Sequence, residues 1–174
     1  MPTAHMIHGY LGAGKTTFAH RLEQELPAIR FTHDEWMARL YGIDPPVEHF
    51  ADCGSRVCAQ IDSLWSRCLQ LGLDVVLDLN FWTRRGRDAT RMKARSLGAA
   101  VRLYRLTCPD EAAWRRIERR NASLDGSSLF IARNTFEVLR AKFEPLDPDE
   151  EREEIDAGIQ FPGGLQNGPS ERPL

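Results

Sequence analysis

Residues 8–17 read HGYLGAGKTT, and Gly9-Tyr10-Leu11-Gly12-Ala13-Gly14-Lys15-Thr16 fits G-x-x-x-x-G-K-S/T without a gap. Each part of this spacing has a chemical use. Glycines let backbone N–H groups turn inward toward phosphate oxygens, and a helix starting at the lysine adds its positive N-terminal end. Lys15 can reach the terminal phosphates as a point charge, and the Thr16 hydroxyl is a candidate ligand for Mg²⁺. Gly9, Leu11, Gly12, Ala13, Gly14, Lys15, Thr16 and Thr17 are therefore the expected contacts for a nucleoside triphosphate. Only three of the 23 basic residues are lysine, so Lys15 is not a background lysine.

Such a loop needs a strand before it and a helix after it. Residues 3–8 (TAHMIH) read as the strand, and a helix is expected over 15–26, with Phe18, Ala19, Leu22 and Leu26 on one face and Pro27 ending it. A second strand is expected at 28–32, and HDEWMARLYG then reads as a short helix closed by Gly42. The clearest helix follows the Asp44-Pro45-Pro46 break. Phe50, Cys53, Val57, Cys58, Ile61, Leu64, Trp65, Cys68 and Leu71 recur in it at helical spacing up to Gly72.

DVVLDLN (74–80) has the nearly continuous apolar character of a strand buried on both faces. A basic helix over 84–97, a strand over 100–107, a helix over 110–120, a polar loop NASLDGSS and a helix over 131–143 complete the pattern. Strands alternating with helices imply an α/β fold with a parallel sheet and a site at the carboxyl ends of the strands. One domain over residues 1–160 and a flexible tail over 161–174 are expected.

Composition narrows the classes further. A hydrophobic fraction of 42% is ordinary for a globular chain, and no run approaches the ~20 apolar residues of a membrane span, so a cytoplasmic protein without a membrane partner is expected. The net charge of −2 conceals an asymmetry: residues 84–120 hold twelve basic and four acidic residues, and residues 144–156 hold eight acids and one base. Cys53, Cys58, Cys68 and Cys108 form no C-x-x-C pair and read as reduced structural thiols. The five histidines show no metal-ligand spacing, which leaves Mg²⁺ carried with the nucleotide as the expected metal. The chain has no N-K-x-D or D-x-x-G of a GTPase and no L-S-G-G-Q of a transporter ATPase. Its third strand reads VVLDLN, without the adjacent acids of an AAA+ motor.

HGYLGAGKTT, FTHDEW after the second strand, VVLDLNFW and WRRIERRN together resemble a P-loop kinase family. That family includes polynucleotide 5′-hydroxyl kinases, chloramphenicol phosphotransferase and the zeta toxins. The resemblance covers roughly residues 4–145 and implies a three-layer P-loop NTPase fold with a small, Arg-bearing lid. It places Asp34 where the family's aspartate accepts the proton of the acceptor hydroxyl, a task any alcohol attacking a γ-phosphate requires. An N-cap role would account for an aspartate at that helix start equally simply.

Arg116 and Arg120, four apart on one helical face, resemble the lid arginines that neutralise a transferring phosphoryl group. Asp78, at the end of the buried strand, is a candidate for holding Mg²⁺ with Thr16 or for orienting the acceptor. Asn80 follows it at the rim, and Trp82 offers packing or a stacking surface. Arg84 and Arg87 open a helix, an unfavourable place for cations, and so invite an anionic substrate; a solvated cluster is the competing reading.

The expected activity is transfer of the γ-phosphoryl group of Mg-ATP to a hydroxyl of a small metabolite or antibiotic-like molecule. A polynucleotide 5′-hydroxyl kinase, contacting a nucleic acid 5′ end through the basic block, and a toxin-like kinase acting on a nucleotide-sugar are the enzyme alternatives. A nucleotide-binding switch or ATPase with no acceptor is the alternative of another class.

Overall fold

The computed structural model describes residues 1–156, so the expected tail over 161–174 and the end of the 1–160 domain lie outside the described residues. The elements in chain order are β1 (Thr3–His8), α1 (Lys15–Glu25), β2 (Ala28–Thr32), α2 (His33–Tyr41), α3 (Val47–Gln70) and β3 (Asp74–Asp78). They continue with α4 (Arg84–Ser96), β4 (Ala100–Thr107), α5 (Asp110–Asn121), α6 (Arg133–Arg140) and β5 (Glu153–Asp156). The strands form one sheet in the order β2-β3-β1-β4-β5, and every pairing is parallel.

Parallel pairing forces crossover helices onto the sheet faces, and the side-chain alternation of the strands serves both sides. Ala4, Met6, Val75 and Leu77 pack with Val57, Ile61, Trp65 and Leu69 of α3, Met37 of α2 and Ala94 of α4. Ile7, Val76 and Leu106 face the other way, onto Phe18, Ala19 and Leu22 of α1. Three layers result. The apolar stripe of α3 is narrower than its spacing implies. Val57, Ile61, Trp65 and Leu69 are buried, whereas Phe50, Leu64 and Leu71 are exposed, as is Cys58. A long helix can lay only one four-residue ridge against a flat sheet, which leaves its flanks in water. All four cysteines are free thiols, and no helix among the described residues is long and apolar enough to cross a membrane.

β5 is an element the residue pattern does not announce. Its sequence EEID has one apolar residue, yet it pairs with β4 at the sheet edge, where ion pairs replace a buried face. Arg102 Nε meets Glu153 at 3.2 Å and Arg105 Nη1 meets Glu154 at 3.1 Å.

The acidic stretch leading to β5 also corrects the expectation for Arg84 and Arg87. Arg87 is closed off from any substrate, and Arg84 is engaged by acids of the chain itself. Arg87 is fully buried, and its Nε and Nη2 donate to Glu150 Oε1 and Oε2 at 2.8 and 2.7 Å. Its other donors reach the carbonyls of Phe81, Glu144 and Pro145, so all five guanidinium N–H groups are satisfied by the protein. Arg84 Nε donates to Asp88 at 2.8 Å, and its terminal nitrogens reach Asp147 and Asp149. The cations that repel one another at the start of α4 are neutralised by the chain's own acids, not by an anionic ligand.

Glu150 is buried, which raises a carboxyl's pKa, but Arg87, Arg91 and the Asp147 N–H overcome this and hold it at about 2. A depressed carboxylate stabilises the fold above its ordinary value of 4.5 and loses that contribution as the pH falls toward about 2. The stability difference between wild type and Glu150→Gln, measured by urea unfolding, is therefore expected to be largest at neutral pH. It should shrink steadily through that acid window. A difference that stays constant with pH would show that the Glu150 charge contributes nothing.

Candidate active site

The sheet order reverses around β1, with β3 on one side and β4 on the other, and this opens a crevice at the carboxyl end of β1. The loop from Gly9 to Gly14 fills it. Gly12 has φ +75°, and a Cβ there would stand 2.4 Å from the Ala113 carbonyl oxygen, so only glycine lets the loop lie against α5. Gly14, at φ 95°, is the N-cap of α1 and offers no side chain to cap it. The first N–H groups of α1 are thereby left for a ligand. From behind, the Tyr10 hydroxyl donates to the Phe136 carbonyl, and its ring meets Phe136 and Phe143 edge-on at 5.0 and 5.3 Å. α6 thus braces the loop.

Around this cradle lies a cavity of about 390 Å³ that brings together residues far apart in the chain. Leu11, Gly12, Gly14, Lys15, Thr16 and Thr17 form one wall; Asp34, Asp78 and Asn80 another; Arg116 and Arg120 the third. Gly9 and Ala13 back the loop without lining the cavity, and Arg84 and Arg87 are absent from it. Thr32, Ile117 and Ser128 also line it and were not anticipated, although Thr32 ends β2 two residues before Asp34.

The charges are tightly coupled. Lys15 Nζ donates to the Tyr10 carbonyl at 3.2 Å, and burial lowers its pKa against the pull of Asp78 and Asp34. Thr16 Oγ1 donates to Asp78 Oδ2 at 2.7 Å, and burial raises the Asp78 pKa despite Lys15 and that hydroxyl. Asp34 behaves oppositely. Burial would raise its pKa, but His33, Lys15 and Arg120 outweigh it and keep the carboxyl below its usual range. His33 Nδ1 lies 3.1 Å from Asp34 Oδ1. Burial opposes the imidazolium, but Asp34 and Cys58 raise the His33 pKa to about 10, so the ring donates to a charged carboxylate at neutral pH. His33 is the partner of Asp34 that sequence reasoning missed, although the two are adjacent in the chain.

Arg116 Nη1 reaches the Gly12 carbonyl at 3.4 Å, and Arg120 Nη2 the Leu129 carbonyl at 3.2 Å. Arg120 Nε is buried with no hydrogen-bond partner among the described residues, and burial lowers the Arg120 pKa against the pull of Asp34. An orphaned guanidinium N–H beside a lysine that donates, among the described residues, only to its own loop fits phosphate oxygens. The Thr16 hydroxyl and Asp78 carboxylate are hard oxygen donors and fit Mg²⁺.

A second cavity, of about 440 Å³, adjoins the first and shares Leu11, Asp34 and Asn80 with it. Trp82, named for packing or stacking, forms part of its wall.

A parallel sheet whose first strand leads through a glycine-rich phosphate loop into its first helix, flanked by helices on both faces, defines a P-loop fold of the kinase type. The chain belongs to the AAA_33 family, an AAA domain, whose profile matches residues 5–146. No curated protein matches the chain. Among solved structures it is similar to a candidate kinase from Chloroflexus aurantiacus, with 18% identity and a TM-score of 0.70 over 89% of this chain and 88% of the other. It is also similar to a gluconokinase from Sinorhizobium meliloti, with 13% identity and a TM-score of 0.62 over 91% and 85%. A chain of the Pnkp1/Rnl/Hen1 RNA repair complex gives 18% identity and a TM-score of 0.62 over 81% of this chain and 43% of that one.

Proposed function

We propose that the protein transfers the γ-phosphoryl group of Mg-ATP to a hydroxyl of a small molecule, with Asp34 accepting the hydroxyl proton. The position of Asp34 carries this reading. Its carboxylate lies on the wall shared by the phosphate-loop cavity and the adjoining cavity, where donor and acceptor would meet. One of its oxygens is held by His33, and no hydrogen bond reaches the other among the described residues.

Catalysis on this reading is mostly placement and charge neutralisation. The loop N–H groups and Lys15 hold the donor phosphates. The acceptor oxygen attacks the γ-phosphorus while its proton passes to Asp34, and the bond to the departing diphosphate breaks. Arg116 and Arg120, on the α5 lid, offset the charge carried by the transferring group. Thr16 and Asp78 would hold Mg²⁺, which when bound withdraws charge from the phosphate oxygens. Arg120→Ala is then expected to lower turnover about 10³-fold, in the range of other arginines acting on a phosphoryl group. Its effect on ADP affinity should be much smaller. Turnover unchanged by this replacement would remove Arg120 from the mechanism.

A polynucleotide 5′-hydroxyl kinase is the second reading, favoured by the likeness to the RNA repair chain and by exposed Arg115 and Arg119 on α5. The test offers γ-labelled ATP and Mg²⁺ with pooled small alcohols, antibiotics and 5′-hydroxyl oligonucleotides, using Asp34→Ala as control. Label on the small-molecule pool, lost in the variant, is the expected result. Free labelled phosphate, released equally by both proteins, would sink the transferase reading in favour of a nucleotide switch.

A further inference from the structure

Resting on the transferase reading, we infer that the acceptor is an alcohol with an apolar body and no negative charge, bound in the cavity beside Asp34. The two adjoining cavities differ in chemistry. The phosphate-loop cavity carries Lys15, Arg116 and Arg120, whereas no lysine or arginine among the described residues lines its neighbour. The walls of the second are Ile43, Val47, Phe50, Trp82, Leu129 and Phe130, with smaller apolar neighbours. Its polar side chains are Asp34, His33, Asn80, Asp44 and Thr135. The first two are bonded to one another, so their charges are matched within the protein.

Three acceptor classes can be weighed against this lining. A sugar acid or phosphorylated metabolite would bring an anion into a site with two carboxylates and no unmatched cation, at a large desolvation cost. A polynucleotide 5′ end would bring its neighbouring phosphates into the same surroundings. An open-chain polyol would bury several hydroxyls against apolar walls offering few partners. An apolar alcohol instead places one hydroxyl at Asp34 and Asn80 and sets its body on aromatic and aliphatic side chains. The volume, about 440 Å³, suits a ligand of drug-like size.

Surface exposure around the mouth agrees. Val47 is 89% exposed and Phe130 46%, and Ile43 and Phe50 beside them are also exposed. Large apolar side chains gathered around one opening gain most from a ligand that covers them. The two rims are joined, because the Phe130 N–H donates to the Ile43 carbonyl at 2.7 Å. The opening is therefore a built feature of the loop between α5 and α6 and the turn before α3, not two separate surface patches.

The test uses the full chain loaded with Mg-ADP and saturation-transfer NMR on phenylpropanol, cyclohexylethanol, gluconate and a 5′-hydroxyl oligothymidylate. The same four probes are then offered with γ-labelled ATP. Val47→Glu and Ala51→Trp alter the mouth without touching the nucleotide cavity. Val47 opens α3, where an acid is favourable, and Ala51 is exposed on the same helix. Both variants should keep wild-type ADP affinity, which confirms folding.

The expected result is binding and labelling of the apolar alcohols, weakened about tenfold or more in both variants. Label on gluconate or the oligonucleotide, with none on the alcohols, overturns the inference and leaves the transferase reading standing. Apolar alcohols that bind the variants as well as wild type are held elsewhere, which also overturns it. No label on any probe overturns the inference and the transferase reading together.

Discussion

Asp34→Asn is expected to bind Mg-ADP about as tightly as wild type and to transfer the γ-phosphoryl group about 10²–10⁴-fold more slowly. The replacement is nearly isosteric. Its side-chain oxygen can still accept from His33 Nδ1, so the geometry at the end of β2 survives and only the proton-accepting capacity is lost. On the proposed reading, nucleotide binding rests on the phosphate loop and Lys15, neither of which requires Asp34 as a base. Single-turnover transfer from labelled ATP, read beside ADP titration calorimetry, separates the two effects.

The pH dependence adds a second check on Asp34. His33, Lys15 and Arg120 hold its pKa below the ordinary aspartate value of 3.8, so the carboxylate proposed as base is ionised throughout the neutral range. Its activity contribution should be complete above that value and decline only below it. Transfer that depends on a group titrating near neutrality would assign the base elsewhere. The N-cap of α2 is Thr32, so Asp34 lies in the first turn and does not cap the helix; transfer at the wild-type rate in Asp34→Asn would leave it only its pairing with His33.

The second large effect is on stability. Arg87→Ala is expected to destabilise the fold by roughly 3–5 kcal/mol, because it removes two charge-assisted hydrogen bonds from the buried Glu150 carboxylate, leaving it Arg91 and the Asp147 N–H, and takes the donor from the Phe81 and Pro145 carbonyls. A surface arginine at the start of a helix would cost at most a fraction of that. The paired replacement Arg87→Met with Glu150→Leu removes both charges and most of the volume change. It should therefore recover a large part of the loss. Urea unfolding of the two single variants and the pair gives the coupling directly. Loss below about 1 kcal/mol in Arg87→Ala would mean that the pair is solvated in solution.

These residues also show where residue patterns stop being informative. The bounds of β1, β2 and β4 coincide with those read from local pattern, and α1 begins at Lys15 as expected. Each of these depends on neighbours within a few positions: β-branched runs, helical spacing, or a glycine followed by a lysine. α6 is shorter than the expected 131–143, and β5 escapes pattern recognition altogether, because Glu153, Glu154 and Ile155 have little strand character until Arg102 and Arg105 lie beside them. The opposed charge blocks over 84–120 and 144–156 were visible as composition. Their meaning was not, since an arginine reads the same whether it awaits a substrate or is paired with Glu150.

What the sequence determined by itself is the phosphate loop and the kind of sheet that carries it. The loop acts through contiguous backbone groups and one adjacent lysine, so its chemistry is written in a single uninterrupted stretch. The tertiary structure alone decided which charges face the site and what lies opposite the phosphate loop. It sent Arg84 and Arg87 to the acidic segment, set His33 against Asp34, and gathered Ile43, Phe50, Trp82 and Phe130 around one cavity. The physical reason is distance along the chain. Burial and ion pairing depend on which surfaces the crossover connections press together, and no local run of residues encodes that.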